Sequence, residues 1–208
     1  CLFLMIRRQQ RSTLCPYTTL FRSILNPGEE VIILSPYFVE YGYYVDNHGG
    51  AAVIVPTTED FLPDLAAIES AITPKTRALI VNSPNNPTGV VYSQNSLAAL
   101  GELLNRKQVE HGTEIFIISD EPYRRIIFDG LTFPQVLPHY QNAVVVTSHA
   151  KDLALPGARI GYVPTNPDYP GKQELANRLT FRNRTSRSGI PPSVLPTLVP
   201  SPTDRHPR

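Results

Sequence analysis

Lys151 is the residue with the most chemistry gathered around it. It closes Ser148-His149-Ala150-Lys151, directly after the apolar run Ala143-Val144-Val145-Val146. Arg159 follows in Leu155-Pro156-Gly157-Ala158-Arg159-Ile160-Gly161-Tyr162. Upstream lie Asp120 and Tyr123 in Ser119-Asp120-Glu121-Pro122-Tyr123, and Asn86 in Ser83-Pro84-Asn85-Asn86-Pro87-Thr88-Gly89. An amine, a carboxylate, a phenol, an amide and a guanidinium form a toolkit for a pyridine aldehyde phosphate.

Short apolar runs must position these groups. Val31-Ile32-Ile33-Leu34, Ala52-Val53-Ile54-Val55, Ala78-Leu79-Ile80-Val81, Ile115-Phe116-Ile117-Ile118 and Val144-Val145-Val146 read as strands buried on both faces of a parallel sheet. Helical patterns lie between them. Leu62, Leu65, Ala66, Ile68 and Ile72 form one apolar face; Leu97, Leu100, Leu103 and Leu104 form another, with Ser93 or Asn95 as cap. Alternating strands and helices predict an α/β fold with βαβ units, three layers and a mostly parallel sheet. Ligands collect beyond the carboxyl ends of strands in such sheets. Asn86, Asp120, and Ser148 with Lys151 follow three different predicted strands, so they are expected at one edge.

Composition narrows the function classes. Of 19 basic and 18 acidic residues, nine and one lie in residues 1–23 and 182–208, leaving 10 and 17 in residues 24–181. That net charge of −7 repels phosphate backbones, so no nucleic-acid partner is expected. Both cysteines, Cys1 and Cys15, fall in the first segment, which excludes a disulfide framework in the middle and fits a reducing, cytoplasmic setting. No apolar run approaches the ~20 residues that span a bilayer.

The ends read differently from the middle. Residues 12–23 show no helical or strand periodicity, and Thr13 to Ser23 back-translates readily to a common sequencing adapter. Residues 1–23 are therefore expected to be a foreign adapter-like segment. Residues 186–208 hold six prolines and no periodic pattern, and read as a frameshifted or disordered tail. Residues 24–185 carry the message.

The motifs Asn86-Pro87-Thr88-Gly89, Asp120-Glu121-Pro122-Tyr123, Ser148-x-x-Lys151 and Pro156-Gly157-x-Arg159-x-Gly161, in that order, resemble the class I/II (fold type I) aminotransferases. The resemblance covers 24 to about 185 and implies an incomplete large domain of a fold type I enzyme that uses pyridoxal 5'-phosphate. It implies that Lys151 carries the cofactor on its amine and shuttles a proton. Asp120 would pair with the ring nitrogen, with a helix N-cap ahead of Pro122 as the bland alternative. Tyr123 and Asn86 would bond the phenolic oxygen, and Ser148 and Arg159 the phosphate. Phe38 would stack on the ring, with Tyr37 and Tyr41 as competitors. Arg125 and Ala158 depart from the residues common in the family, at positions expected to be remote from the chemistry.

The resemblance further implies amino acid and 2-oxo acid substrates and a homodimeric parent. The family's Ser-Gly-Ala-type phosphate turn, its N-terminal arm and the substrate-gripping arginine have no counterpart in the motifs, so the 208-residue polypeptide is expected to be an impaired fragment. A C–S β-lyase or another fold type I enzyme shares the same motifs, and so does a non-catalytic cofactor-sensing regulator. A generic Rossmann-like nucleotide binder ranks last, because the sequence has no Gly-x-Gly-x-x-Gly after a strand.

Overall fold

The computed structural model describes residues 5–7, 16–156 and 160–185. Arg159, most of residues 1–15 and the tail 186–208 lie outside the described residues. In chain order the elements are β1 (Met5–Arg7), α1 (Pro16–Ile24), β2 (Glu30–Ser35), α2 (Glu40–Asp46), β3 (Ala51–Pro56), α3 (Leu65–Ala71), β4 (Thr76–Asn82) and α4 (Gln94–His111). Then come β5 (Phe116–Asp120), β6 (Ala143–Ser148), α5 (His149–Asp152), β7 (Ile160–Tyr162) and α6 (Lys172–Thr185).

The strands form one sheet in the order β1-β7-β6-β5-β4-β2-β3. The five strands expected from the apolar runs are β2 to β6, and every pairing among them is parallel. β7 and β1 add antiparallel pairings at one edge. A parallel pair needs a crossover, and the crossovers cover both faces. On one face Val31, Ile33, Ala78, Ile80, Phe116, Ile118, Val144 and Val146 pack with residues of α1, α2 and α6. On the other Ile32, Leu34, Leu79, Val81, Ile117 and Val145 pack with α3 and α4. The expected three-layer α/β architecture is present.

Some boundaries differ from the expectation. Much of the 12–23 stretch expected to be aperiodic lies in α1 (Pro16–Ile24), where Tyr17, Leu20, Phe21 and Ile24 are buried on the inner face. Their spacing of three, one and three is helical, but it spans little over two turns, and interspersed Thr and Ser blur it. The expected α3 face also shifts. The Asp64 side chain accepts from the Ala66 and Ala67 amides at 3.0 Å and fixes the helix start, leaving Leu62 outside it. Ala66 is then exposed, and Ala67 packs inward in its place. Ser93, not Asn95, caps α4, accepting from the Ser96 amide at 3.1 Å; Gly112 closes that helix with φ of 63°.

Gly101 lets α4 approach the chain near His139. A Cβ at this position would run into the His139 carbonyl oxygen, a backbone atom that cannot swing aside. Gly101→Ala is expected to destabilise the chain by about 1–3 kcal/mol despite alanine's better helix propensity. Urea unfolding checks this; an unchanged or raised midpoint would contradict it.

Candidate active site

The carboxyl ends of β2, β4, β5 and β6 are Ser35, Asn82, Asp120 and Ser148. Side chains alternate along a strand, so each lies two residues beyond Ile33, Ile80, Ile118 or Val146 and returns to the same face. That face is the one packed by α1, α2 and α6. The row of polar groups expected at one edge therefore also shares one face of the sheet. Glu121, next in sequence to Asp120, turns to the other side, where its carboxylate accepts from Ser119 Oγ at 2.9 Å.

Asp120 is buried, and its carboxylate accepts a hydrogen bond from the Tyr41 hydroxyl. Burial pushes the Asp120 carboxyl up to about 6, and the Tyr41 and Tyr17 hydroxyls hold it from rising further. Burial, together with the Asp120 charge, raises the Tyr41 phenol well above its ordinary value, so it stays a donor. Tyr17 lies against Tyr41 at 5.6 Å and stacks on Tyr44 at 5.3 Å between centroids. One expectation changes here. No helix follows Asp120, whose carboxylate takes a tyrosine hydroxyl instead of capping backbone amides. Tyr41, a competitor of Phe38 for the ring, is the donor to Asp120. Phe38 packs edge-on against Tyr41, 5.6 Å between centroids at 81°. Tyr37 packs against the same core cluster.

Tyr41→Phe removes the largest hydrogen bond favouring the Asp120 carboxylate. The Asp120 titration midpoint is expected to move above about 6, measured by carboxyl-carbon NMR on the chain without ligand. A fall in the midpoint would contradict the assignment.

Lys151 stands on the one-turn α5, whose first residues are ordered by the Ser148 side chain at the end of β6. Ser148 Oγ accepts from the Ala150 amide at 3.5 Å, so Ser148 caps the start of α5. The exposed Lys151 ammonium lies over the Tyr123 ring, 5.8 Å from the centroid. Burial first, then the Asp120 charge, raises the Tyr123 phenol. Tyr123 thus neighbours the amine and feels the charge of the buried carboxylate. Arg125, expected to be remote, reaches Asp152 at 3.8 Å and ties the loop after β5 to the helix that carries Lys151.

Asn86 sits in a loop held by its neighbours. Asn85 Oδ1 accepts from the Thr88 amide at 3.1 Å and hydroxyl at 2.9 Å, and Gly89 takes φ of 77°. The Asn86 amide donates to Asn82 Oδ1 at 2.7 Å. Asp120, Tyr123, Lys151, Asn86 and Phe38 are therefore brought to one edge, with Ser148 at the base of α5. Sequence reading missed Asn82 and the role of Tyr41. A polar residue ending the apolar β4 run, and an aromatic three residues after Phe38, were the available signals.

The profile of the family described as "Aminotransferase class I and II" matches residues 17–201. The chain belongs to this family. Among curated relatives, a probable aspartate/prephenate aminotransferase of Thermus aquaticus is 45% identical over 145 residues, 69% of this chain and 36% of the relative. An aspartate aminotransferase of Bacillus subtilis is 37% identical over 156 residues, 72% of this chain and 38% of the relative. A solved aminotransferase of Eubacterium rectale superposes with a TM-score of 0.81 at 41% identity, covering 86% of this chain and 46% of that one. The chain spans less than half the length of these relatives.

Class I and II aminotransferases use pyridoxal phosphate, and the donor set of this chain fits it. A buried carboxylate whose partners are tyrosine hydroxyls, with no ion-pairing Lys or Arg among the described residues, offers a charge to a cationic ring nitrogen. Lys151 supplies an exposed primary amine at the same edge. No described helix is long and apolar enough to cross a membrane, and no group of three or more His, Cys, Asp or Glu among the described residues is placed to hold a metal.

Proposed function

We propose that this site carries pyridoxal phosphate for amino-group transfer between an amino acid and a 2-oxo acid. The observation that supports it most is the approach of Lys151, over Tyr123, to the side of the sheet holding the buried Asp120. Bound there, the cofactor supplies an electron sink for the substrate's α-carbon. Lys151 holds the cofactor through its amine and moves the proton at the substrate carbon. Asp120 keeps its charge against the ring nitrogen, and the Tyr41 hydroxyl orients that carboxylate. Tyr123 and Asn86 donate toward the phenolic oxygen. Ser148 binds the phosphate, with Arg159, which lies outside the described residues, as its partner. Phe38 covers one ring face.

Aspartate is the donor supported by the names of the Thermus and Bacillus relatives. The exposed Phe128, Leu131, Leu153 and Leu155 support a homodimer, and a body without cysteine supports a cytoplasmic setting. The test is a single-turnover assay of the cofactor-loaded parent enzyme with nitrogen-labelled aspartate and a 2-oxo acid. Label is expected to pass from aspartate to the cofactor and then to the acceptor. Release of the label as ammonia would contradict transfer.

A further inference from the structure

Asn82 ends β4 with a side chain that makes two different hydrogen bonds. Its Nδ2 donates to the Asp120 carbonyl at 3.0 Å, and its Oδ1 accepts from the Asn86 amide at 2.7 Å. Asn82 is buried and stands opposite Asp120 in the parallel register of β4 and β5. The bond to Asp120 fixes the end of β5; the bond to Asn86 fixes the loop that leaves β4. We propose that Asn82 is a positioning residue whose single planar amide couples the Asn86 loop to the Asp120 strand end, presenting the two groups to one rigid ring as a unit.

The proposal rests on the reading of the site given above. Asp120 and Asn86 lie on separate connections of the chain, and each must meet its own atom of one planar molecule. Misplacement by about 1 Å at such a site costs on the order of 100-fold. Strand pairing carries the Asp120 backbone to the end of β5, where the Asn82 amide adds a further hold, while the loop containing Asn86 leaves the sheet at Ser83 and loses the pairing constraint. Only a side chain with a donor and an acceptor at fixed separation can hold both. Aspartate of the same shape lacks the donor, and serine is too short to reach both partners. An apolar residue would continue the β4 run but leave the Asn86 amide and the Asp120 carbonyl without these partners.

The test compares the full 208-residue chain with Asn82→Ala and Asn82→Asp. Amide hydrogen exchange without cofactor is read at Asn86 and at Leu100, in α4 on the far face of the sheet. In Asn82→Ala the Asn86 amide is expected to exchange at least about tenfold faster with Leu100 unchanged. Asn82→Asp keeps the acceptor and loses the donor, so Asn86 is expected to stay protected. Both variants are expected to bind pyridoxal phosphate about tenfold more weakly, with the pH midpoint of the bound cofactor's absorption displaced. Unchanged Asn86 exchange in the alanine variant would overturn the coupling. Loss of protection at Leu100 together with Asn86 would assign Asn82 to general stability and overturn the positioning role. Unchanged affinity and midpoint in both variants would do the same. The exchange arm needs no cofactor, so failure of the unsubstituted chain to bind pyridoxal phosphate would count against the proposed function and leave the coupling to be judged on exchange.

Discussion

Asparagine in place of Asp120 is expected to make the chain more stable while making the cofactor bind worse. The Asp120 carboxyl titrates near 6 in the folded chain, against an ordinary value of 3.8, because burial penalises its charge. The folded state therefore holds the proton more tightly than the unfolded state. Stability from this group falls as pH rises from about 3.8 through about 6 and is level above that. The accumulated cost at pH 8 is about 3 kcal/mol. The substituted amide would carry no charge to bury, and its oxygen could still accept from the Tyr41 hydroxyl. Asp120→Asn should therefore raise the unfolding free energy by about 3 kcal/mol at pH 8 and leave it unchanged near pH 3. Chemical denaturation at both pH values measures this. Pyridoxal phosphate should bind on the order of 100-fold more weakly, since a cationic ring nitrogen loses its buried partner. A variant less stable at pH 8, or one that binds the cofactor as well as the original, would contradict the assignment. Opposite signs on stability and binding are what a functional carboxylate predicts; a structural one would lose both.

The sheet was legible because its strands are continuous apolar runs rich in Val and Ile, a pattern that needs no tertiary context to read. Val31–Leu34, Ala78–Val81 and Val144–Val146 each lie inside an observed strand. Asn86, Asp120 and Lys151 were legible because each follows such a run, and a parallel sheet sends all its strand ends to one edge. Tyr41 was not legible in its role. Its hydroxyl meets Asp120 across 79 positions of sequence, a contact made only when α2 folds back over β5. Asn82 gave only the weak signal of an amide ending an apolar strand, and its two partners lie on different connections. α1 was missed because two turns give too few buried positions for a period to stand out. Arg125 is expected to be remote from the chemistry, although its partner Asp152 adjoins Lys151.

Lys151→Ala is expected to abolish covalent attachment of the cofactor altogether. The chain has four lysines, Lys75, Lys107, Lys151 and Lys172. Glu110 at 2.8 Å and Glu69 at 3.4 Å hold Lys107 protonated, its ammonium raised above the ordinary value, which makes it a poor nucleophile. Lys75 precedes β4 at the opposite end of the sheet from Asp120, and the Lys172 ammonium donates to the Pro167 carbonyl. Only Lys151 joins an exposed amine to the edge where Tyr123 and Asp120 meet. Loss of that amine also removes the proton shuttle, a contribution worth about 10²- to 10⁴-fold in rate by itself.

Borohydride reduction of the chain loaded with pyridoxal phosphate, followed by peptide mass mapping, tests the central claim most directly. The cofactor should be fixed on the peptide containing Lys151, and the Lys151→Ala chain should show neither the fixed cofactor nor its visible absorption band. The same band in the alanine variant, with the cofactor trapped on Lys75, Lys107 or Lys172, would contradict it.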